Sequence, residues 1–173
     1  MKPFSRKFKK LYISTLIGVL FVCALGTLLH FVYHWSHDHF IVGLIAPVNE
    51  SVWEHMKMVY FPILLFFIIE YLFLFKPYSY LLRADLAGIL AGTLLIPVLF
   101  YTYTGFLGKN ILLLDILTFI ISSIFAFYVR YRSLLSSKRK RYTFVYFICV
   151  LVLGVCFLIF TYYPPDIALF TPF

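Results

Sequence analysis

Residues 142–163 read YTFVYFICVLVLGVCFLIFTYY. The stretch carries no charged side chain, and as a helix rising about 1.5 Å per residue it spans the ~30 Å hydrocarbon core of a bilayer. A helix in water needs a polar face. This one has none on any side, so its surroundings must be lipid. Working outward, the same reading applies to residues 11–33, 56–75, 84–106 and 111–129. None of the five alternates strictly between apolar and polar residues, as a membrane β-strand would, so all are read as helices.

The expected fold class is therefore all-α, a polytopic membrane helix bundle of five transmembrane helices. Connectors between spans two and five are short and no internal repeat is visible, so residues 1–173 are expected to form a single integral membrane domain. Composition agrees: 63% of the chain is hydrophobic, 21% aromatic and 13% charged, with a mean hydropathy of +0.96. Soluble domains carry about 25% charged residues. A soluble enzyme, a disordered chain and a disulfide scaffold are excluded on that ground.

Basic residues concentrate on cytoplasmic flanks. With the N-terminus inside, the inner segments hold thirteen of the fifteen basic residues, from Lys2 through Lys76, Arg83 and Arg130 to the run 138–141; Lys57 and Lys109 remain outside. The expectation is N-terminus inside, C-terminus outside, in a plasma membrane. The net charge of +8 then reflects topology and anionic lipid headgroups rather than nucleic acid. Tyrosines and tryptophans, among them Tyr78, Tyr80, Tyr103 and Trp53, fall where interfacial anchors belong. The first span exceeds a typical signal-peptide core and lacks a good cleavage site, so it is expected to be retained. Cys23, Cys149 and Cys156 all lie within spans and are expected to be buried thiols.

Polar residues gather in one place. The first outer connector, residues 34–55, holds His34, His37, His39 and His55, with His30 one turn before it, together with Asp38, Glu50 and Glu54. Its centre is NESVWEHMK, residues 49–57. Ser51 to Glu54 forms a capping box with Asn49 as an alternative N-cap, so the segment can serve simply to start span two. Glu50, Glu54 and Lys57 would then form a salt-bridged stripe. The functional reading uses the same spacing. Glu50 and Glu54 project together, with His55 beside them and His30 and His34 on one face of span one. Two imidazoles and a carboxylate suit zinc or another divalent ion. Expected metal ligands are His30, His55 and Glu54 or Glu50, with His34 a further candidate; the remaining glutamate would act as general base, making Glu50 and Glu54 the catalytic candidates.

Two carboxylates lie deeper. Glu70 sits about 22 Å along the helix from His55 and needs a proton or a partner on another span. Asp115 lies within span four beside Thr118. Intramembrane acids of this kind are candidate functional residues. Ala84, Gly88 and Gly92 form a small-residue stripe suited to close helix contact, within the chain or in a homodimer. Pro62 and Pro97 are expected to kink spans two and three.

The segment LHFVY (29–33), Trp35-Ser36, VNESVWEHMK (48–57), Phe61-Pro62 and the ending around Tyr163 and Leu169-Phe170 resemble an uncharacterised family of small bacterial multi-spanning membrane proteins, a domain of unknown function with an N-E-S-x-W-E-H-x-K signature. The resemblance implies that Asn49, Glu50, Trp53, Glu54, His55 and His30 match the family's motif, and implies no reaction. His34, His37 and His39 exceed that pattern.

Three classes of function follow. The first is a site facing the extracytoplasmic side, metal-binding and acting on a lipid or lipid-linked substrate as a hydrolase or transferase. The second is a small proton or cation transporter with Glu50, Glu54, Asp115 and Glu70 as steps. The third is an accessory subunit held by a partner membrane protein.

Overall fold

A computed structural model describes residues 6–73, 81–135 and 142–173. Lys2, Lys76, Tyr78, Tyr80 and the basic run 138–141 lie outside the described residues. The described residues form six α-helices: α1 (Arg6–Trp35), α2 (Phe40–Gly43), α3 (Val52–Phe73), α4 (Leu81–Leu107), α5 (Leu112–Leu135) and α6 (Thr143–Phe160), followed by a 3₁₀ turn at Ala168–Phe170. Five of them, all but α2, are long and apolar enough to cross a membrane. The protein is an integral membrane helix bundle. Among the described residues the only extended pairing is an isolated bridge between Ser51 and Pro172.

Local signals set the ends of the elements. Ser51 Oγ accepts the Glu54 amide at 3.3 Å, and Asn49 Oδ1 accepts the Ser51 amide at 2.9 Å, so both expected caps are used at the start of α3. Gly108, at φ +70°, ends α4 by donating its amide to Thr104 O at 2.7 Å, a left-handed stop that costs glycine little. Pro62 and Pro97 lie inside α3 and α4, which run through them as continuous helices.

The helix α3 is the centre of the bundle. Two-thirds of its spanning window (67%) is buried, against 11% for α6, whose bare apolar surface faces outward. Phe66 and Phe67 of α3 pack edge-on against Phe127 of α5. The small-residue stripe is consumed inside the chain: a Cβ on Gly92 would lie 2.5 Å from Ala126 Cβ, and one on Gly88 2.8 Å from Ala126 O. It serves the α4–α5 contact. The three cysteines are free thiols, but none is fully buried as expected: Cys23 and Cys156 are half-buried and Cys149 is exposed on α6.

The largest departure from expectation is at Arg130. Span four does not stop at 129 but continues to Leu135, and Arg130, expected as an interfacial charge, is fully buried. Its Nε donates to Asp85 Oδ1 at 2.7 Å, its Nη2 donates to Glu70, and Ser14 Oγ donates to the other Glu70 oxygen. The Phe67 ring lies 4.8 Å below the guanidinium. Glu70 thus finds its partner on another span, as its position required. Asp85, expected only as a helix-start acid, completes the set. The guanidinium joins α5 to α3 and α4, and Glu70 carries the tie on to α1 through Ser14, which offsets the heavy cost of burying charge in a bilayer.

Candidate functional site

At the other end of the bundle, the two glutamates of NESVWEHMK part company. Glu54 is buried on α3. Its Oε2 accepts from Lys57 Nζ at 2.7 Å and from the Val48 amide at 2.9 Å, and its Oε1 accepts from Thr161 Oγ1 at 3.3 Å. Lys57 is also fully buried and donates to the carbonyls of Gly43 at 2.9 Å and Ala46 at 3.4 Å. This pair pins the connector before α3 to the helix itself. The expected stripe of Glu50, Glu54 and Lys57 does not form, because Glu50 precedes the first turn of α3 and its side chain goes elsewhere.

Glu50 instead enters the space between α1 and α3. Its Oε1 lies 3.8 Å from His30 Nε2 and its Oε2 lies 3.4 Å from His55 Nε2. The two imidazole rings are 5.5 Å apart. One donor atom from each of His30, Glu50 and His55 falls within 4.8 Å of the others. A tetrahedral zinc site with bonds of about 2.0–2.2 Å sets its donors about 3.3 Å apart, so the three side chains need to close by little more than 1 Å. The hydrogen bond from His55 holds the Glu50 carboxyl below the usual carboxylate range, with partial burial opposing it.

The tautomer of His55 follows from its neighbour. Its Nδ1 is 2.8 Å from Ser51 O, which can only accept, so Nδ1 carries a proton, and Nε2 faces Glu50 as an N–H donor when the ring is protonated and as a lone pair when it is neutral. The protonated ring donates to the Glu50 carboxylate across that 3.4 Å gap, and in the neutral ring a metal ion can take the proton's place. A metal-bound histidine is characteristically fixed through its second nitrogen in just this way. His30 lacks such a fixture, since its Nδ1 is buried without a partner.

The remaining expected residues are distributed as follows. His34 is exposed and pairs with Asp38 at 3.0 Å, outside the converging donors; His37 and His39 are exposed in the loop, with His37 and Asp38 both at φ 55°. Asn49 is a cap. Trp53, expected at an interface, is buried with its ring 4.6 Å from Phe157 and 4.8 Å from Phe170, tying α3 to α6 and to the segment that follows it. Glu70 belongs to the Arg130 cluster. Asp115 accepts a hydrogen bond from Tyr103, expected only as an anchor, and lines a cavity of about 500 Å³ together with His30, Glu50, His55 and Asn110. Phe173 closes one side, stacked on His55 at 5.8 Å and tilted against Phe100 at 4.5 Å. Asn110 and Phe173 carried no sequence signal; only the tertiary fold brings them here.

A family model described as a family of unknown function, DUF6512, matches residues 1–172. The chain belongs to DUF6512. The resemblance read from residues 29–62 and 162–170 thus extends over nearly the whole chain. No curated protein and no solved structure matches this DUF6512 chain. The match carries no reaction, so the chemistry must be argued from the site itself.

Proposed function

We propose that this membrane protein holds a divalent metal ion, zinc by the chemistry of its donors, on His30, Glu50 and His55, and uses it for hydrolysis or group transfer on a lipid or lipid-linked substrate. The observation that carries this reading is the convergence of His30 Nε2 and His55 Nε2 on the Glu50 carboxylate at 3.8 and 3.4 Å, with the other His55 nitrogen committed to Ser51 O. Three protein ligands with an open fourth position are the pattern of catalytic rather than structural zinc. The ion supplies Lewis acidity and acidifies a water in its free position.

The chain's own groups then take defined roles. Glu54 is occupied by Lys57, Val48 and Thr161, so it is a scaffold residue and the base role expected of it passes to another carboxylate. Asp115 stands on the cavity wall with Tyr103 donating to one oxygen, which leaves the second oxygen to take a proton from water. A transporter would need Glu70 as an exchangeable step, but Glu70 is wholly buried between Arg130 and Ser14. That favours a site confined to one end of the bundle. Metal analysis of the purified protein tests the reading: one zinc per chain is expected, falling to none in His30→Ala/His55→Ala. A wild-type protein without stoichiometric metal at neutral pH overturns it.

A further inference from the structure

The cavity beside the three donors is polar at one end only. Its walls are Thr27 and Phe31 from α1, Met58 from α3, and Ile116 and Phe119 from α5. Its floor is set by Gly26, where a Cβ would lie 2.5 Å from Met58 O and 2.7 Å from the Phe119 ring. There α1 touches both neighbours. Phe31 and Ile116, 47% exposed each, and Leu112, 74% exposed, line the cavity and also belong to the bundle's apolar outer face. The cleft is continuous with the surface that meets the bilayer.

Depth decides what can enter. The floor at Gly26 lies four residues below His30, about 6 Å along the helix axis. That is far shorter than a lipid chain. We infer that the cleft between α1 and α5 binds one acyl chain of a lipid by its head-proximal carbons, with the head oxygens at His30, Glu50 and His55 and the rest of the chain left in the bilayer. The position of the head rests on the metal reading; the position of the chain does not. His30 and His55 lie about a turn inside the ends of α1 and α3, the depth at which a lipid's polar and apolar parts meet, so such a ligand reaches them without leaving the membrane.

The test uses zinc-loaded full-length protein in phosphatidylcholine nanodiscs and two long-chain fatty acids, one with a photoactivatable diazirine beside the carboxylate and one with it at the methyl end. The carboxylate-proximal probe should label peptides containing Thr27, Phe31, Ile116 and Phe119, and the methyl-end probe should label the outer faces of α1 and α6 diffusely. Thr27→Trp and Ile116→Trp fill the cleft from opposite walls at exposed positions. Each should cut the specific labelling by about tenfold, as overpacking a binding site does, with zinc content unchanged. Equal patterns from the two probes, or labelling that survives both tryptophan variants, overturns the inference. Zinc missing from the wild type, with the tryptophan-sensitive labelling intact, refutes the metal centre and upholds the chain-binding cleft.

Discussion

Glu50 and Glu54 stand four residues apart in one motif and meet opposite surroundings. Glu54 has its hydrogen-bonding capacity filled by Lys57, Val48 and Thr161 and is 1% exposed. Glu50 is more than half exposed and faces two imidazoles at distances too long for tight pairing. A satisfied buried pair fixes a backbone; a half-open acidic group among ring nitrogens is free to take a ligand. The first arrangement positions the second, since the Val48 amide and the Gly43 and Ala46 carbonyls held by the pair belong to the connector that leads into Glu50.

The contrast breaks most sharply at Lys57. Lys57→Met leaves a buried carboxylate without its cation and should cost about 3–5 kcal/mol, read as thermal unfolding in detergent. Adding Glu54→Gln removes the orphan charge, and the double variant should recover most of the loss. Glu50→Gln should change the stability of metal-free protein by no more than about 1 kcal/mol, the range of exposed ion pairs. Equal costs for Lys57→Met and Glu50→Gln would erase the distinction between scaffold and site.

Next in size is the response to metal. Zinc at a hundred times its dissociation constant should stabilise the wild type by about 2.7 kcal/mol. The same zinc should leave Glu50→Gln and His55→Ala near their metal-free melting points. The Lys57→Met/Glu54→Gln protein should still respond, more weakly if the connector has loosened. Glu50→Gln responding like the wild type would show that the glutamate is not a ligand.

How much of this was legible in the sequence follows the same division. Five apolar spans, the cap at Ser51 and the interhelical partner demanded by Glu70 are local or thermodynamic necessities, and they read directly from composition and spacing. The identity of that partner was not readable, because Arg130 sits beside other basic residues and looks like a flank charge until the fold surrounds it with Glu70 and Asp85. His30, His55 and Glu50 were all visible as candidates. Helical spacing also grouped Glu54 with them, which assumed that the helix already included residue 50. The helix starts at Val52, so the side-chain directions implied by a 3.6-residue repeat do not extend back to Glu50.

Acidification supplies a smaller, graded test. Metal binding requires both imidazoles deprotonated, so affinity should fall as pH drops through the histidine range, by up to about tenfold per pH unit for each ring titrated. Glu50 is held below the usual carboxylate range by its His55 hydrogen bond, so it stays ionised across that window. Its own contribution to stability is present above the ordinary carboxylate pKa and is lost only as pH falls through the lowered value. A zinc titration between pH 7.5 and pH 5.5, about two units, should therefore show proton competition from histidine alone. A further carboxylate step in that interval would place a different acid at the metal.

The smallest expected effect isolates Phe173. Its ring stacks on His55, packs tilted against Phe100 and hydrogen-bonds nothing, so it covers one side of the site without supplying a ligand. Phe173→Ala should cost about 0.5–1.5 kcal/mol of aromatic packing and leave zinc stoichiometry at one. It should speed zinc release to a chelator by a few-fold, because water and chelator reach His55 from a side the ring now shields. Phe100→Leu removes the other ring contact while leaving Phe173 over His55, and should change the release rate less. Loss of zinc in Phe173→Ala would mean that the ring holds His55 in its binding rotamer; an unchanged release rate would mean that exchange runs through the cleft between α1 and α5 alone.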